Sequence, residues 1–259
     1  MPVWLEFSGR TRRRSRHSDG MWLTGLASDL ADALFPRDCS ICGARVSGGR
    51  ICVPCFDELP WNMHACPTCA DPLPEQVSVS TPCGACQRRS LPVTRVLAPL
   101  VYRFPIDAVL KGLKFHNRLD VSPMLAELLA PSIWDSGERY DALVPVPLHR
   151  WRHARRGYNQ ADEIARALSF LTQIPVRRAV KRRRATSPQT GLNARRRRGN
   201  LRGAFRQKCT MRGKHVLIVD DVITTGETIR AVASALQQAG ADRVSAIAVA
   251  RAVPGDARF

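Results

Sequence analysis

The chain has 259 residues, a net charge of +18 and an apolar fraction of 44%, which is enough for one ordinary domain beside a smaller module and too apolar for wholesale disorder. No apolar run approaches the ~20 residues needed to cross a bilayer, and no uninterrupted apolar stretch follows the basic start, so neither a membrane span nor a signal peptide is expected and the chain reads as cytoplasmic. The excess charge is concentrated: the 56 residues between Glu163 and Asp220 hold 16 Lys or Arg and no acid, either a field for a polyanion, nucleic acid or a small polyphosphate, or a solvated basic surface.

In chain order, residues 1–20 are polar, Arg-rich and without period, and are predicted to be a disordered basic tail. Met21 opens MWLTGLASDLADALF, a short helix expected over 21–36 and the candidate true start, which the intact mass of natively expressed protein would decide. Over 37–90, eight of nine cysteines form four CxxC pairs: Cys39/Cys42, Cys52/Cys55, Cys66/Cys69 and Cys83/Cys86. Two thiolates spaced x₂ on a tight knuckle grip one edge of a tetrahedral zinc, and a second pair closes the shell. Eight ligands therefore suit two structural Zn²⁺, a double zinc ribbon that needs metal to fold. A disulfide framework lacks a secretory signal, and a redox CxxC lacks its βαβ setting. Sequential pairing, 39/42 with 52/55 and 66/69 with 83/86, is expected because each loop is short; a cross-braced pairing is the alternative. Cys209 stands alone and is expected to be a small buried thiol.

From Val93 the composition changes. Strands are predicted over 94–104, 141–148, 215–220 and 242–253, and helices over 106–117, 124–134, 159–171 and 227–240. Asn159 or Asp162 stands near a helix amino terminus. Residues 176–208 have no sustained apolar period and read as a long functional loop. Strands alternating with helices predict an α/β domain over 93–259, a mostly parallel sheet with helices on both faces.

One stretch carries chemistry. VLIVDDVITTGET, Val216–Thr228, is a buried strand ending in Asp220 and Asp221, then small hydroxyl residues around Gly226, then a helix. Ligands of parallel sheets collect at the carboxyl ends of strands. Consecutive N–H groups on a turn entering a helix form an anion cradle. Carboxylates beside such a cradle would repel a bare phosphate, yet suit a ligand that also brings hydroxyls or a divalent cation. A sugar phosphate does both. The stretch reads as a ribose 5-phosphate site, with the aspartates on the ribose hydroxyls and Val222, Thr224, Thr225, Gly226, Glu227 and Thr228 around the 5-phosphate.

VLIVDDVITTGET resembles the phosphoribosyl pyrophosphate signature of type I phosphoribosyltransferases. With PVPLHRWRHARRGYNQADEIARAL (Pro145–Leu168), ATSPQTGLNARRRRGNLRGAF downstream, the doubled cysteine motif and the FPRDC stretch Phe35–Cys39, the chain from about Met21 onward is similar to the ComF family, competence-type phosphoribosyltransferase-like proteins with an amino-terminal double zinc ribbon. The resemblance implies a type I phosphoribosyltransferase-like fold and phosphoribosyl pyrophosphate, with Mg²⁺, as ligand. It implies Asp220 and Asp221 as the catalytic acidic pair and a pyrophosphate loop at Val146, Pro147, Arg150, Arg156, Asn159 and Gln160, near which Arg152, Arg155 and Gly157 also lie. Asn159 has a helix cap as its alternative role. It further implies a flexible loop over 182–200 with Arg184, Thr186, Gln189 and Arg198 as contacts, and a hood over 102–117 with Lys111, Lys114, Phe115 and His116. Two functions follow: Mg-dependent transfer of ribose 5-phosphate to an acceptor, or a non-catalytic factor binding or processing single-stranded DNA on the same scaffold. The family's association with natural transformation and DNA uptake implies single-stranded DNA and a helicase-like competence protein as partners.

Overall fold

The computed structural model describes residues 37–46, 49–89, 91–148, 157–183 and 203–253; the tail and helix expected over 1–36 lie outside them. The chain divides into two compact units, Met1–Glu58 and Leu59–Phe259, so the division falls between the two halves of the cysteine motif.

In the first unit, β1 (Arg37–Asp38) pairs antiparallel with β2 (Arg45–Val46), and α1 (Val53–Asp57) follows with Pro54 in its first turn. Its apolar cluster consists of Cys39, Val46 and Cys55, with Ile41, Ile51 and Cys52 packed against them. So small a cluster cannot offset the entropy of ordering the chain without a cross-link or metal.

The second unit opens with the other two CxxC pairs and α2 (Gly84–Arg88). Its sheet is parallel. β9 (Arg243–Arg251) carries β3 (Val96–Leu97) and β4 (Leu100–Val101) on one edge and β8 (His215–Ile223) on the other, and β8 pairs in turn with β5 (Ala142–Pro145). The strand expected over 94–104 is thus two short pieces, interrupted at Ala98-Pro99, because proline brings no ladder N–H. Val216–Val219 in β8 are fully buried, as expected for a parallel strand covered on both faces.

α4 (Ser122–Trp134) and α5 (Gln160–Thr172) pack against each other and the sheet. α6 (Glu227–Gln238) packs against β8 and β9 in the crossover between them. α3 (Ile106–Phe115) and a 3₁₀ turn (Leu119–Val121) lead from β4 into α4. Helices therefore cover both faces of the sheet.

Three expectations need correction. Inside the stretch read as one loop, 176–208, β6 (Val180–Arg182) pairs antiparallel with β7 (Phe205–Gln207). Too short and too basic to show a period, the ribbon is held by Phe205, over whose ring Arg182 lies at 5.5 Å. β8 runs on past both aspartates to Ile223 instead of ending at them. Cys209 is exposed, not buried, because it lies on the surface just beyond β7.

Candidate functional site

The sheet register places the site. Pro145 pairs with Val219, and the Val146 N–H donates to the Val219 carbonyl at 2.9 Å. Val146 and Pro147, where the pyrophosphate loop was expected, therefore leave the sheet directly beside Asp220. Asp220 and Asp221 are half-buried. Asp220 Oδ1 accepts from the Asp221 N–H at 2.9 Å, and Asp221 Oδ1 from the Val222 N–H at 2.7 Å. From the end of α3, Lys114 Nζ reaches Asp221 Oδ2 at 3.1 Å. Burial, then the charge of Asp221, pushes the Asp220 carboxyl up to about 8, although the Asp221 N–H, Lys114 and Arg182 oppose the shift. Tyr102 is buried nearby, and its burial raises the phenol above its ordinary range.

The loop after β8 turns sharply. Gly226 occupies the left-handed region, with φ of 74°, at the amino cap of α6. The first-turn N–H groups of a helix lack intrahelical partners, which leaves those of α6 for an anion. Thr225 is exposed; Thr224, Glu227 and Thr228 are half-buried and Val222 is buried. A Cβ on Gly226 would stand 3.1 Å from Leu91 Cδ2. Gly226→Ala is therefore expected to lower stability by about 1–2 kcal/mol from the positive φ alone, with the Leu91 contact adding to it. A denaturant titration beside wild type would measure this.

Asn159 stands at the amino cap of α5, but its side chain makes no cap bond. Instead its amide donates to the Val146 carbonyl at 3.0 Å, which ties the two ends of the 146–159 segment together. Gln160 is buried, and Gly157 has a φ of 78°. Arg150, Arg152, Arg155, Arg156, Arg184, Thr186, Gln189 and Arg198 lie outside the described residues. Asp162 is in the first turn of α5 and is a structural group: Arg178 grips both its oxygens, at 2.8 and 2.6 Å, and Arg166 adds a third bond at 2.7 Å.

Three contributors were not singled out from sequence. Arg182, in the ribbon at the base of the expected flexible loop, acts electrostatically on Asp220. Arg251, the last residue of β9, donates to the carbonyls of Ile223 at 3.0 Å and of Thr224. The Asp71 carboxylate lies against the other side of that guanidinium as an ion pair at 3.1 Å, without hydrogen-bond geometry. The visible signal for Arg251 was a cation inside the otherwise apolar run AIAVARAV.

The eight motif cysteines form two sets, Cys39/Cys42/Cys52/Cys55 and Cys66/Cys69/Cys83/Cys86, each with its Sγ atoms within 4.8 Å of one another. The pairing is sequential. The Cys42–Cys52 and Cys69–Cys83 Sγ separations are both 3.7 Å, the edge of a tetrahedron with metal–sulfur bonds of ~2.3 Å. Burial opposes ionisation of Cys39 and Cys66. Backbone N–H donors from Cys42, Cys52 and Ile41, and from Cys83, Cys69 and Thr68, outweigh it and bring the two thiols down to about 6 and about 7. Burial instead pushes Cys86 up to about 12. Both donor sets fit a structural zinc.

Comparison with known proteins agrees with this arrangement. A phosphoribosyl transferase domain model matches residues 153–256, and a double zinc ribbon model matches 30–87. DNA utilization protein YhgH of Escherichia coli K12 is 34% identical over 217 residues, covering 81% of this chain and 94% of that protein. Competence protein F of Haemophilus influenzae Rd is 34% identical over 179 residues, covering 66% and 78%. The chain belongs to the ComF family. Within it, the more distant competence protein ComFC of Streptococcus pneumoniae R6 is 26% identical over 188 residues, covering 72% and 80%. As a ComF-family protein the chain joins a phosphoribosyltransferase-type parallel sheet to an amino-terminal zinc-ribbon module.

Proposed function

We propose that the protein binds phosphoribosyl pyrophosphate at the carboxyl end of β8 and transfers ribose 5-phosphate to an acceptor in competence or DNA utilization. The observation that carries this reading is the junction of three parts: an acidic pair in β8, a glycine-capped helix start one turn later, and the β5 exit held beside Asp220 by register. In this reading Asp220 and Asp221 accept hydrogen bonds from the ribose hydroxyls. The loop Val222–Thr228 surrounds the 5-phosphate with N–H and hydroxyl donors, and the segment after Val146 faces the pyrophosphate. Arg150 and Arg156 supply guanidinium forks there. Attack at C1 forms the new glycosidic bond as the C1–O bond breaks and pyrophosphate leaves with the electron pair. The chain mainly positions the reactants, and the loop over 182–200 keeps water from competing. Asp221 fits a divalent cation, since its carboxylate already holds the Lys114 ammonium at 3.1 Å. Bound Mg²⁺ would neutralise charge on the departing pyrophosphate.

Calorimetry of the zinc-loaded protein with phosphoribosyl pyrophosphate and Mg²⁺ tests the proposal. Saturable binding is expected, reduced at least ~100-fold in Asp220→Asn/Asp221→Asn. Absence of binding to folded wild type would overturn it. A second reading, a DNA-binding scaffold without transfer, is favoured by one feature: an open groove of about 460 Å³ lined by Arg206, Lys208, Arg212, Gln238 and Gly240. Polyanion binding there would weaken steeply with salt, and Asp220→Asn/Asp221→Asn would leave it intact. No helix among the described residues is long and apolar enough to cross a membrane.

A further inference from the structure

The two cysteine sets differ in what they touch within their own units. The first sits in a small cluster of its own. In the second, Cys66, Cys69, Cys86 and the following Leu91 belong to the same hydrophobic cluster as Ile229 and Ala233 of α6. The second knuckle thus shares one hydrophobic core with the helix whose amino terminus forms the candidate 5-phosphate site.

Arg251 makes the connection polar as well as apolar. It faces Ile223 in the register of β8 and β9, and only 8% of it is exposed. Its guanidinium turns the carbonyls of Ile223 and Thr224 toward itself. In a planar trans peptide, C=O and N–H point in opposite directions. Holding those two carbonyls therefore directs the N–H groups of Thr224 and Thr225 to the other side of the loop, away from the guanidinium. A buried guanidinium needs a partner charge, and Asp71 supplies it at 3.1 Å.

Asp71 is placed by the knuckle itself. It lies two residues after Cys69, and its carbonyl accepts from the Cys66 N–H at 2.8 Å. The intervening Ala70 adopts a φ of 56°. Asn62 fixes that turn by donating to the carbonyls of Ala70 at 2.9 Å and Ala98 at 3.0 Å. At the other end of the loop, Leu91 fills the space in front of Gly226. The knuckle therefore braces the loop at both ends, through Arg251 at Thr224 and through Leu91 at Gly226.

We infer that Arg251, held by Asp71 at the base of the second knuckle, is a positioning residue for the 5-phosphate loop, so that ribose phosphate affinity depends on this ion pair. The statement about affinity rests on the function proposed above; the brace itself does not. The test uses the zinc-loaded full chain with Asp71→Asn, Arg251→Met and Arg251→Lys. Affinities for ribose 5-phosphate and for pyrophosphate are measured separately, together with zinc content and amide hydrogen exchange of residues 223–228 without ligand. Asp71→Asn and Arg251→Met are expected to weaken ribose 5-phosphate about tenfold or more, the scale of a lost charge-assisted bond, and to speed exchange in the loop. Pyrophosphate affinity and zinc content should stay at wild-type values, and Arg251→Lys should recover part of the loss. Equal loss of both ligands would show a merely structural residue and overturn the inference, as would wild-type loop exchange in Asp71→Asn. If wild type itself fails to bind ribose 5-phosphate, the proposed function and the affinity claim fall together, and loop exchange then decides the brace alone.

Discussion

Stripping zinc with a strong chelator is expected to proceed in two steps, the first site emptying well before the second. Around Cys39, Cys42, Cys52 and Cys55 there is little apolar packing within the first unit. Metal binding there is essentially the folding free energy, on the order of 10 kcal/mol, and removal should leave that unit unfolded. Cys66, Cys69 and Cys86 are buried in the core that includes α6, so releasing their ion must open packed structure and should be slower. Two cysteine variants separate the sites. Cys42→Ser should cost one zinc and leave the main thermal transition in place. Cys69→Ser should cost the other and lower that transition markedly, because burial in the sheet core then leaves three thiols crowded without a cation. Zinc release followed with a chromogenic chelator, beside near-ultraviolet circular dichroism, reads both steps. Simultaneous release of both ions, or equal thermal penalties, would contradict this division.

The second large effect is a gain in stability accompanied by loss of the site. Asp220 titrates at about 8 in the folded protein against an ordinary 3.8. Between those values the folded state holds a proton that the unfolded state has lost, so stability falls as pH rises from about 4 to about 8, by up to ~1.4 kcal/mol per unit, and then levels off. Solvent reaching the half-buried carboxyl reduces the full figure. Asp220→Asn removes the titration and keeps an oxygen for the Asp221 N–H. The variant should be more stable than wild type by on the order of 2–4 kcal/mol at pH 8, with the difference vanishing near pH 4, and it should no longer hold ribose phosphate. Urea titrations of both proteins at several pH values would show converging curves. Parallel curves from pH 4 to 9 would refute the assignment. Such a trade of stability for chemistry is common at strained, charged sites.

What the sequence makes legible follows the range of the interaction. The apolar run Val216–Val219, the glycine-capped helix start and the CxxC spacing are local patterns, and each forms where it was expected. Sequential cysteine pairing follows from short loops. The β6–β7 ribbon escapes notice because three-residue basic strands carry no period, and the break at Ala98-Pro99 becomes visible only once both pieces are seen on β9. Lys114 with Asp221, Arg251 with Asp71, and Leu91 against Gly226 join distant segments, and no local pattern announces such a pair. Asn159 shows the same limit: its position at a helix start is readable, whereas its bond to the Val146 carbonyl depends on the fold of the loop between them.

The unequal embedding of the two knuckles also sets an order of events during synthesis. The first can capture its ion as soon as Cys55 has left the ribosome, since its packing partners are near neighbours. The second has cysteines that emerge early and supports that emerge late: Gly226, α6 and Arg251 come from the last described elements of the chain. Until β9 is made, its thiols and its Asp71 face water, with neither sheet nor guanidinium to receive them. Such late, long-range closure is slow and leaves apolar surface exposed to wrong partners. A ribosome stalled between these two moments would carry a finished first ribbon and an unfinished second one.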